Sequence, residues 1–122
     1  MTVPGVKHIA QIAVTVKDLA RAKGFYADLL GLRHLFDAPP GLAFFQCGET
    51  RLMLSLPEGS TAQGNSILYY GVEDVTAAHR AMAAQGVIFE EEPHCIAKVE
   101  GKDIHLAICR DSEDNLLGLI SG

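Results

Sequence analysis

The sequence has 122 residues and a formal net charge of −5, with 48% hydrophobic and 20% charged residues. This length and composition fit one folded domain with its own core and exclude a disordered chain. The acidic balance argues against nucleic acid and anionic membranes as partners, and no segment approaches the roughly 18 apolar residues of a membrane span. Three cysteines without C-x-x-C spacing predict reduced thiols, so we expect a cytoplasmic protein.

The first half of the chain predicts a strand, a helix and three further strands. Alternating apolar residues predict a strand over Val6–Val16. Asp18 is the predicted N-cap of the helix that follows, because its carboxylate can accept a backbone N–H of the first turn. Apolar residues then recur at helical spacing as far as Gly31, the predicted C-terminal stop. The three strands that follow are predicted over Leu32–Phe36, Leu42–Cys47 and Arg51–Leu56.

The second half repeats this order after a polar, glycine-containing linker over residues 57–65. A strand is predicted over Ile67–Val72, and a helix is predicted to begin after Asp74 and to stop at Gly86. The segment from 92 to 103 is predicted as a long loop, a place where small folds often carry binding specificity. The remaining strands are predicted over Val87–Glu91, Ile104–Arg110 and Leu116–Ser121.

The similar spacing in the two halves indicates an internal repeat. Asp18 and Asp74 are separated by 56 positions, and Gly31 and Gly86 by 55. A shared offset across a strand, a turn and a helix predicts duplication of one supersecondary unit. We therefore expect an α+β fold of two tandem βαβββ modules, residues 5–56 and 66–122, within one domain spanning residues 1–122. A ligand is expected in the space between the modules.

Three phrases of the sequence, VKDLARAKGFYADLLGL, TRLMLSLPEG and RDSEDNLLGLI, carry a resemblance to a known family. The chain resembles the vicinal oxygen chelate superfamily, which includes glyoxalase I, bleomycin-resistance proteins and extradiol dioxygenases. The resemblance covers nearly the whole chain. It implies a half-open mixed β-barrel, with the helices outside, and it implies a homodimer.

The same resemblance implies four positions at which metalloenzymes of the family place histidine, glutamine or glutamate. In this sequence they fall on Gln11, Met53, Ile67 and Gly118. Three of the four carry no side chain that holds a divalent cation. We therefore predict no metal and no cofactor. An atypical site built from Gln11, with His94 or His105 and a glutamate, is left open.

Seven residues are predicted to contact a small-molecule ligand, because they lie on inward faces of the predicted strands or in the long loop. No catalytic residue is assigned, although a neutral His94 could act as a general base. Tyr69 would supply an aromatic wall with a hydroxyl group. The predicted ligand-binding residues are Gln11, Met53, Ser55, Ile67, Tyr69, His94 and His105.

Three functions are compatible with these residues. The first is a metal-independent protein that binds or sequesters an amphipathic or aromatic small molecule, as the antibiotic-resistance members do. The second is a glyoxalase-like lyase or isomerase, or a dioxygenase, with an atypical metal site. The third is a dimeric scaffold without a ligand. Because fold alone does not decide among them, the question of enzymatic activity stays open.

Overall fold

The computed structural model describes residues 4–57 and 65–121, and the chain divides into two compact units, Met1–Ala62 (unit 1) and Gln63–Gly122 (unit 2). Each unit contains a four-stranded mixed sheet and the element order βαβββ. The predicted α+β class, with one βαβββ motif in each half of the chain, is confirmed. The predicted linker over residues 57–65 falls largely outside the described residues.

The elements of unit 1 are β1 (Gln11–Thr15), α1 (Leu19–Gly24), a π-helical turn (Phe25–Leu29), β2 (Arg33–Ala38), β3 (Leu42–Cys47) and β4 (Thr50–Ser55). The four strands form a sheet with the order β1-β4-β3-β2. Strands β1 and β4 are parallel, whereas the other neighbours are antiparallel. The first strand is shorter than the predicted Val6–Val16, because β1 extends only as far as its partner β4 does.

The elements of unit 2 are β5 (Leu68–Gly71), α2 (Val75–Ala84), β6 (Phe89–Val99), β7 (Lys102–Arg110) and β8 (Leu116–Ser121). The four strands form a sheet with the order β5-β8-β7-β6, in which β5 and β8 are parallel.

The helical segment of each unit begins and ends as the sequence predicts, although in unit 1 its second half is the π-helical turn and α1 itself ends at Gly24. The side chains of Asp18 and Asp74 each accept a hydrogen bond of 3.0 Å from a backbone N–H three residues further on. The φ angles of Gly31 and Gly86 are +71° and +92°, a left-handed conformation that glycine adopts at little cost. The same two signals therefore delimit the helical segment in each unit.

One face of each sheet packs against its own helix, and we call the opposite face the distal face. On the helix face of unit 1, the π-helical turn buries Tyr26 against Phe45, with ring centroids 6.4 Å apart. The strand residues of this core are at most 4% exposed. They are Val14, Ala43, Phe45, Leu52 and Leu54.

The predicted loop from 92 to 103 is wrong, because this segment belongs to a long β-hairpin. Strand β6 runs through it from Phe89 to Val99, and β7 begins at Lys102. The two residues between the strands, Glu100 and Gly101, both have positive φ angles, 52° and 80°, as in the tight turns that suit hairpins. Register shifts at three places along β6 break the two-residue alternation by which a strand is predicted.

The turn between β7 and β8 is organised by a buried carboxylate. The Asp111 side chain is reached by the backbone N–H groups of Glu113 and Asn115, at 2.8 and 2.9 Å, and by the Asn115 amide at 3.0 Å. Asp111 is only 6% exposed. These bonds supply the acceptors that the buried donors of the turn need. They fix the entry into β8, the strand beside β5.

Candidate functional site

The distal face of unit 1 carries a connected group of side chains from β1 and β4. Gln11 pairs with Arg51 in the parallel register, and Met53 lies two residues further along β4. Arg51 Nε donates a hydrogen bond to Gln11 Oε1 at 2.7 Å, and Gln11 Nε2 donates to Met53 Sδ at 3.8 Å. The Gln11 amide is therefore engaged through both its oxygen and its nitrogen.

Two aromatic rings continue this group toward β2. Phe44 pairs with Met53 in the sheet, and the Arg51 guanidinium carbon lies 5.3 Å from the centroid of the Phe44 ring. Phe36 stacks on Phe44 with centroids 4.5 Å apart and planes inclined by 27°. Phe36 is 46% exposed, so its ring is accessible to solvent. We call the five residues Gln11, Phe36, Phe44, Arg51 and Met53 the Arg51 surface.

Sequence reasoning found two of these five residues and missed the other three. Ser55, also predicted to contact a ligand, follows Met53 by two residues and therefore lies on the same face. The same alternation includes Arg51, two residues before Met53, so the signal for it was present. Phe36 and Phe44 could not be placed from the sequence because their contact depends on the register of β2 and β3, which contains an irregularity.

On the distal face of unit 2, the ring of Tyr69 covers Gly118. These two residues pair in the parallel register of β5 and β8. A Cβ atom built on Gly118 would lie 2.7 Å from Tyr69 Cε2, and it would also contact Cδ2. Real Cβ atoms essentially never show contacts this short, so only glycine leaves room for the ring. Tyr69 is 53% exposed, and its outer side is therefore available for contact.

A cavity of about 310 Å³ lies beside this strand pair. Ile67, another predicted ligand residue, precedes β5 and is 44% exposed, but it does not line this cavity. The lining is apolar apart from one hydroxyl group and the backbone. It consists of Gly71, Val72, Ile104, Ile120 and Ser121.

The two candidate histidines lie on opposite faces of the unit 2 sheet. His94 pairs with Leu106, in the row of residues that contains Ile120 and Gly71 on the distal face. His105 alternates with Ala107, which is fully buried on the helix face. The structure therefore does not bring these histidines together. Only His94 shares a face with Tyr69.

His94 already faces two acceptors on its own strand. Its Nδ1 lies 2.7 Å from the Glu92 carbonyl oxygen, and its Nε2 lies 3.5 Å from Glu91 Oε1. A general base must direct a free lone pair at the proton it removes. In this arrangement Nε2 is directed at a carboxylate, so the histidine would have to rotate to act on a ligand. Its catalytic role stays a prediction.

The cysteines differ in their chemical accessibility. Burial under α2 raises the pKa of the Cys109 thiol to about 12, and the nearby Asp111 carboxylate acts in the same direction. A thiol with this pKa is not a thiolate nucleophile near neutral pH. Cys95 is exposed on β6, and its Sγ lies 3.5 Å from the Ala97 carbonyl oxygen.

The positions that would hold a divalent metal by resemblance do not fit one. Gln11 Oε1, the oxygen donor among them, accepts a hydrogen bond from a guanidinium cation, which would repel a metal ion. Met53 offers a thioether and Ile67 an alkyl group, which are poor ligands for hard or borderline cations. Gly118 has no side chain and lies under Tyr69. Within residues 4–57 and 65–121, no group of three or more His, Cys, Asp or Glu side chains could hold a metal ion.

The paired βαβββ units define an α+β protein of the glyoxalase-like fold. The family model of the Glyoxalase/Bleomycin resistance protein/Dioxygenase superfamily matches residues 8–118, and the chain belongs to this superfamily. No curated protein matched the sequence. None of the helices in the described part of the chain has the length and apolar character needed to cross a membrane.

Solved structures of low sequence identity share the fold over almost the whole chain. A lactoylglutathione lyase from Agrobacterium tumefaciens is 22% identical, with a TM-score of 0.80 and coverage of 98% of this chain and 96% of the other. A superfamily member from Sphaerobacter thermophilus is 18% identical, with a TM-score of 0.80 and coverage of 96% and 98%. An integron cassette protein from V. cholerae is 20% identical, with a TM-score of 0.77 and coverage of 98% of both chains.

Proposed function

We propose that this protein binds or sequesters an amphipathic or aromatic small molecule without a metal ion. The observation that carries the proposal is the hydrogen bond of 2.7 Å from Arg51 Nε to Gln11 Oε1. Because of this bond, the Gln11 oxygen already accepts from a positively charged side chain of the protein, Arg51. The guanidinium charge then opposes any divalent ion at this oxygen, because like charges in contact repel strongly.

The composition of the distal faces supports a ligand that is partly apolar. The Arg51 surface offers two stacked phenyl rings, a thioether, an amide and a guanidinium group. On unit 2, the exposed side of Tyr69 offers a further aromatic ring and a hydroxyl group. Mostly apolar walls with a few oriented polar groups are typical of small-molecule sites.

Two thermal-shift series test this proposal. In the first, Ni²⁺, Zn²⁺, Fe²⁺ or Mn²⁺ is added to protein purified without chelator, and its metal content is measured in parallel. We expect no stabilisation and no stoichiometric metal. In the second, a library of aromatic and amphipathic compounds is screened. A compound present at ten times its Kd stabilises the folded state by about 1.4 kcal/mol, which corresponds to roughly 5 °C in Tm.

A pair of matched variants shows whether a compound from the screen contacts the Arg51 surface. Phe36→Ala removes a partly exposed ring of that surface and should weaken binding several-fold. Ile88→Ala removes a side chain that is 64% exposed in unit 2 and should leave the affinity unchanged. Equal effects of the two variants would contradict the assignment of the surface.

The alternative function is a lyase, isomerase or dioxygenase with an atypical metal site. Stoichiometric metal in the purified protein, or a clear stabilisation by one of the four ions, would favour this alternative over the proposal. His94→Ala then measures the contribution of the histidine. A loss of turnover with unchanged ligand affinity would assign it a catalytic role, whereas no change would remove it from the site.

We also propose that the protein is a cytoplasmic homodimer. The three cysteines are free, which supports a reducing compartment. Large apolar side chains are exposed along the edge strand β6, among them Ile96 at 48% and Val99 at 53%. Exposed apolar edges favour association. In analytical ultracentrifugation, Ile96→Lys should weaken the dimer, whereas the control Val6→Lys, at a residue 95% exposed, should not.

A further inference from the structure

We infer that the Arg51 surface selects an aromatic carboxylate, with Arg51 binding the carboxylate and the phenyl rings packing against the aromatic part. This inference rests on the proposed function, because it names the class of small molecule that the site takes. Three features of the surface carry it: a neutral partner for the arginine, a fixed guanidinium plane and an adjoining aromatic stack.

The first feature is that the charge of Arg51 is positioned without being neutralised. Its Nε donates to the Gln11 amide oxygen at 2.7 Å, and an amide carries no net charge. None of the ion pairs within residues 4–57 and 65–121 involves Arg51. By contrast, Arg110 forms ion pairs with Glu90 and Asp114, at 2.8 and 3.4 Å. Arg51 therefore retains a positive charge that an anionic ligand can neutralise.

The second feature is the orientation of the guanidinium group. Nε is directed at Gln11, and the guanidinium carbon lies 5.3 Å from the Phe44 centroid. These two contacts restrict the plane of the group before any ligand arrives. The N–H groups on Nη1 and Nη2 form a fork that matches the two oxygens of a carboxylate. A positioned fork loses less conformational freedom on binding than a mobile side chain does.

The third feature is the aromatic stack next to this fork. Phe44 contacts both the guanidinium group and the Phe36 ring, whose centroid is 4.5 Å away. A ligand whose carboxylate lies on Arg51 would therefore have its apolar part beside these rings. A planar ring can stack on the exposed side of Phe36 with the geometry that aromatic pairs favour.

Because the whole protein is acidic, a preference for anions can arise only from groups at the Arg51 surface. The net charge is −5, so the overall field disfavours anions and would favour a cationic ligand. At this surface, however, a cation would meet the guanidinium group. Preference for an anion must therefore come from cations on this face. Arg33 lies in the same row two strands away, but Arg51 is the cation that lies over the Phe44 ring, so the preference should be lost when the charge of Arg51 is removed.

The test compares 2-naphthoate with 2-naphthylmethanol, an uncharged molecule of similar shape, by isothermal titration calorimetry. We expect the wild-type protein to prefer the carboxylate by about tenfold, the low end for hydrogen bonds to charged groups. Arg51→Gln should reduce this preference to about one while leaving the affinity for the alcohol nearly unchanged. Arg80→Gln, which removes an exposed charge from α2, is the matched control and should retain the preference.

Arg51→Lys keeps the charge but loses the fork, so its preference should fall between those of the wild type and Arg51→Gln. If the wild-type protein binds both compounds equally, or neither, the inference is overturned, and this comparison needs no variant that might fail to fold. Equal losses in Arg51→Gln and Arg80→Gln would also overturn it. Binding of uncharged aromatics without a carboxylate preference would leave the proposed function intact, whereas stoichiometric metal would contradict the proposed function.

Discussion

Replacing Gly118 with alanine tests whether the Tyr69 ring occupies the space that the structure assigns to it. The new Cβ would lie 2.7 Å from Tyr69 Cε2, whereas nonbonded carbon atoms are most stable at about 3.5–4.0 Å. The ring would therefore have to move by roughly 1 Å or rotate into solvent. Because Tyr69 is already 53% exposed, only about half of its packing is lost, and we expect a cost of about 1 kcal/mol.

The same substitution should have the opposite sign when Tyr69 is absent. Alanine restricts the unfolded chain more than glycine does, and glycine inside a strand is itself unfavourable. In a Tyr69→Ala background, Gly118→Ala should therefore stabilise the fold by about 0.5 kcal/mol. The expected coupling energy between the two positions is the difference, about 1.5 kcal/mol.

Urea denaturation of the four proteins in this cycle, followed by circular dichroism, measures the coupling. The m-value must stay constant across the cycle for the comparison to hold. Distant sites add to within about 0.5 kcal/mol, so a coupling below that value would mean that the ring does not cover Gly118. A stabilising effect of Gly118→Ala in the wild-type background would refute the reasoning outright.

Three other predictions concern groups outside the proposed ligand surface. Asp111→Ala removes the acceptor of three hydrogen bonds in the turn before β8 and should destabilise the fold by about 2–3 kcal/mol in urea denaturation. At pH 8, iodoacetamide should modify the exposed Cys95 but not Cys109, as mass spectrometry would show. The pKa of Cys109 is raised from 9.0 to about 12, so the folded state favours the protonated thiol. The resulting stabilisation is complete below pH 9 and is lost as the pH rises toward 12. The pKa of Asp37 is lowered, first by its hydrogen bond to Lys23, so its contribution to stability is present above the usual pKa of an aspartate and is lost as the pH falls through the lowered value. An NMR titration should show this lowered midpoint, and Lys23→Ala should raise it.

The parts of the fold that the sequence predicted are those with a local chemical signal. Asp18 and Asp74 cap their helices, and the helical segments stop before Gly31 and Gly86, because these effects depend only on neighbouring residues. Strands β3 and β8 begin and end where alternation and turn residues predicted. The duplication of one motif followed from these signals, since they recur at nearly the same offset.

The long strand β6 was missed because its signal depends on its partner. Register shifts along β6 change which residues face each side, so no simple alternation is visible in PHCIAKVEGK. Pro93 lies within the segment, and proline is unfavourable in the interior of a sheet. The proline is tolerated because β6 is an edge strand, which has a neighbour on one side only. The Glu100-Gly101 pair was the one local sign of a hairpin.

The candidate site could be predicted as a set of positions but not as a set of contacts. The resemblance to the superfamily implied that Gln11 and Met53 lie on one face, and the register of β1 and β4 places them there. The resemblance could not show that Gln11 is held by Arg51, because that bond joins residues 40 positions apart. The stack of Phe36 on Phe44 depends in the same way on the pairing of β2 with β3. The contacts that define the candidate site therefore depend on which strands pair and in which register.

At the positions where metalloenzymes of the family place metal ligands, each unit has a different side-chain contact that would block a metal ion. In unit 1, Arg51 and Met53 engage the amide of Gln11, whereas in unit 2 the ring of Tyr69 lies over Gly118. A single substitution that supplies a ligand is therefore insufficient to create a cation site. Met53→His would leave a guanidinium cation on the Gln11 oxygen, and Gly118→Glu would collide with the Tyr69 ring. In unit 1 a metal ligand would have to be added and the arginine removed, and in unit 2 a ligand would have to be added and the tyrosine removed.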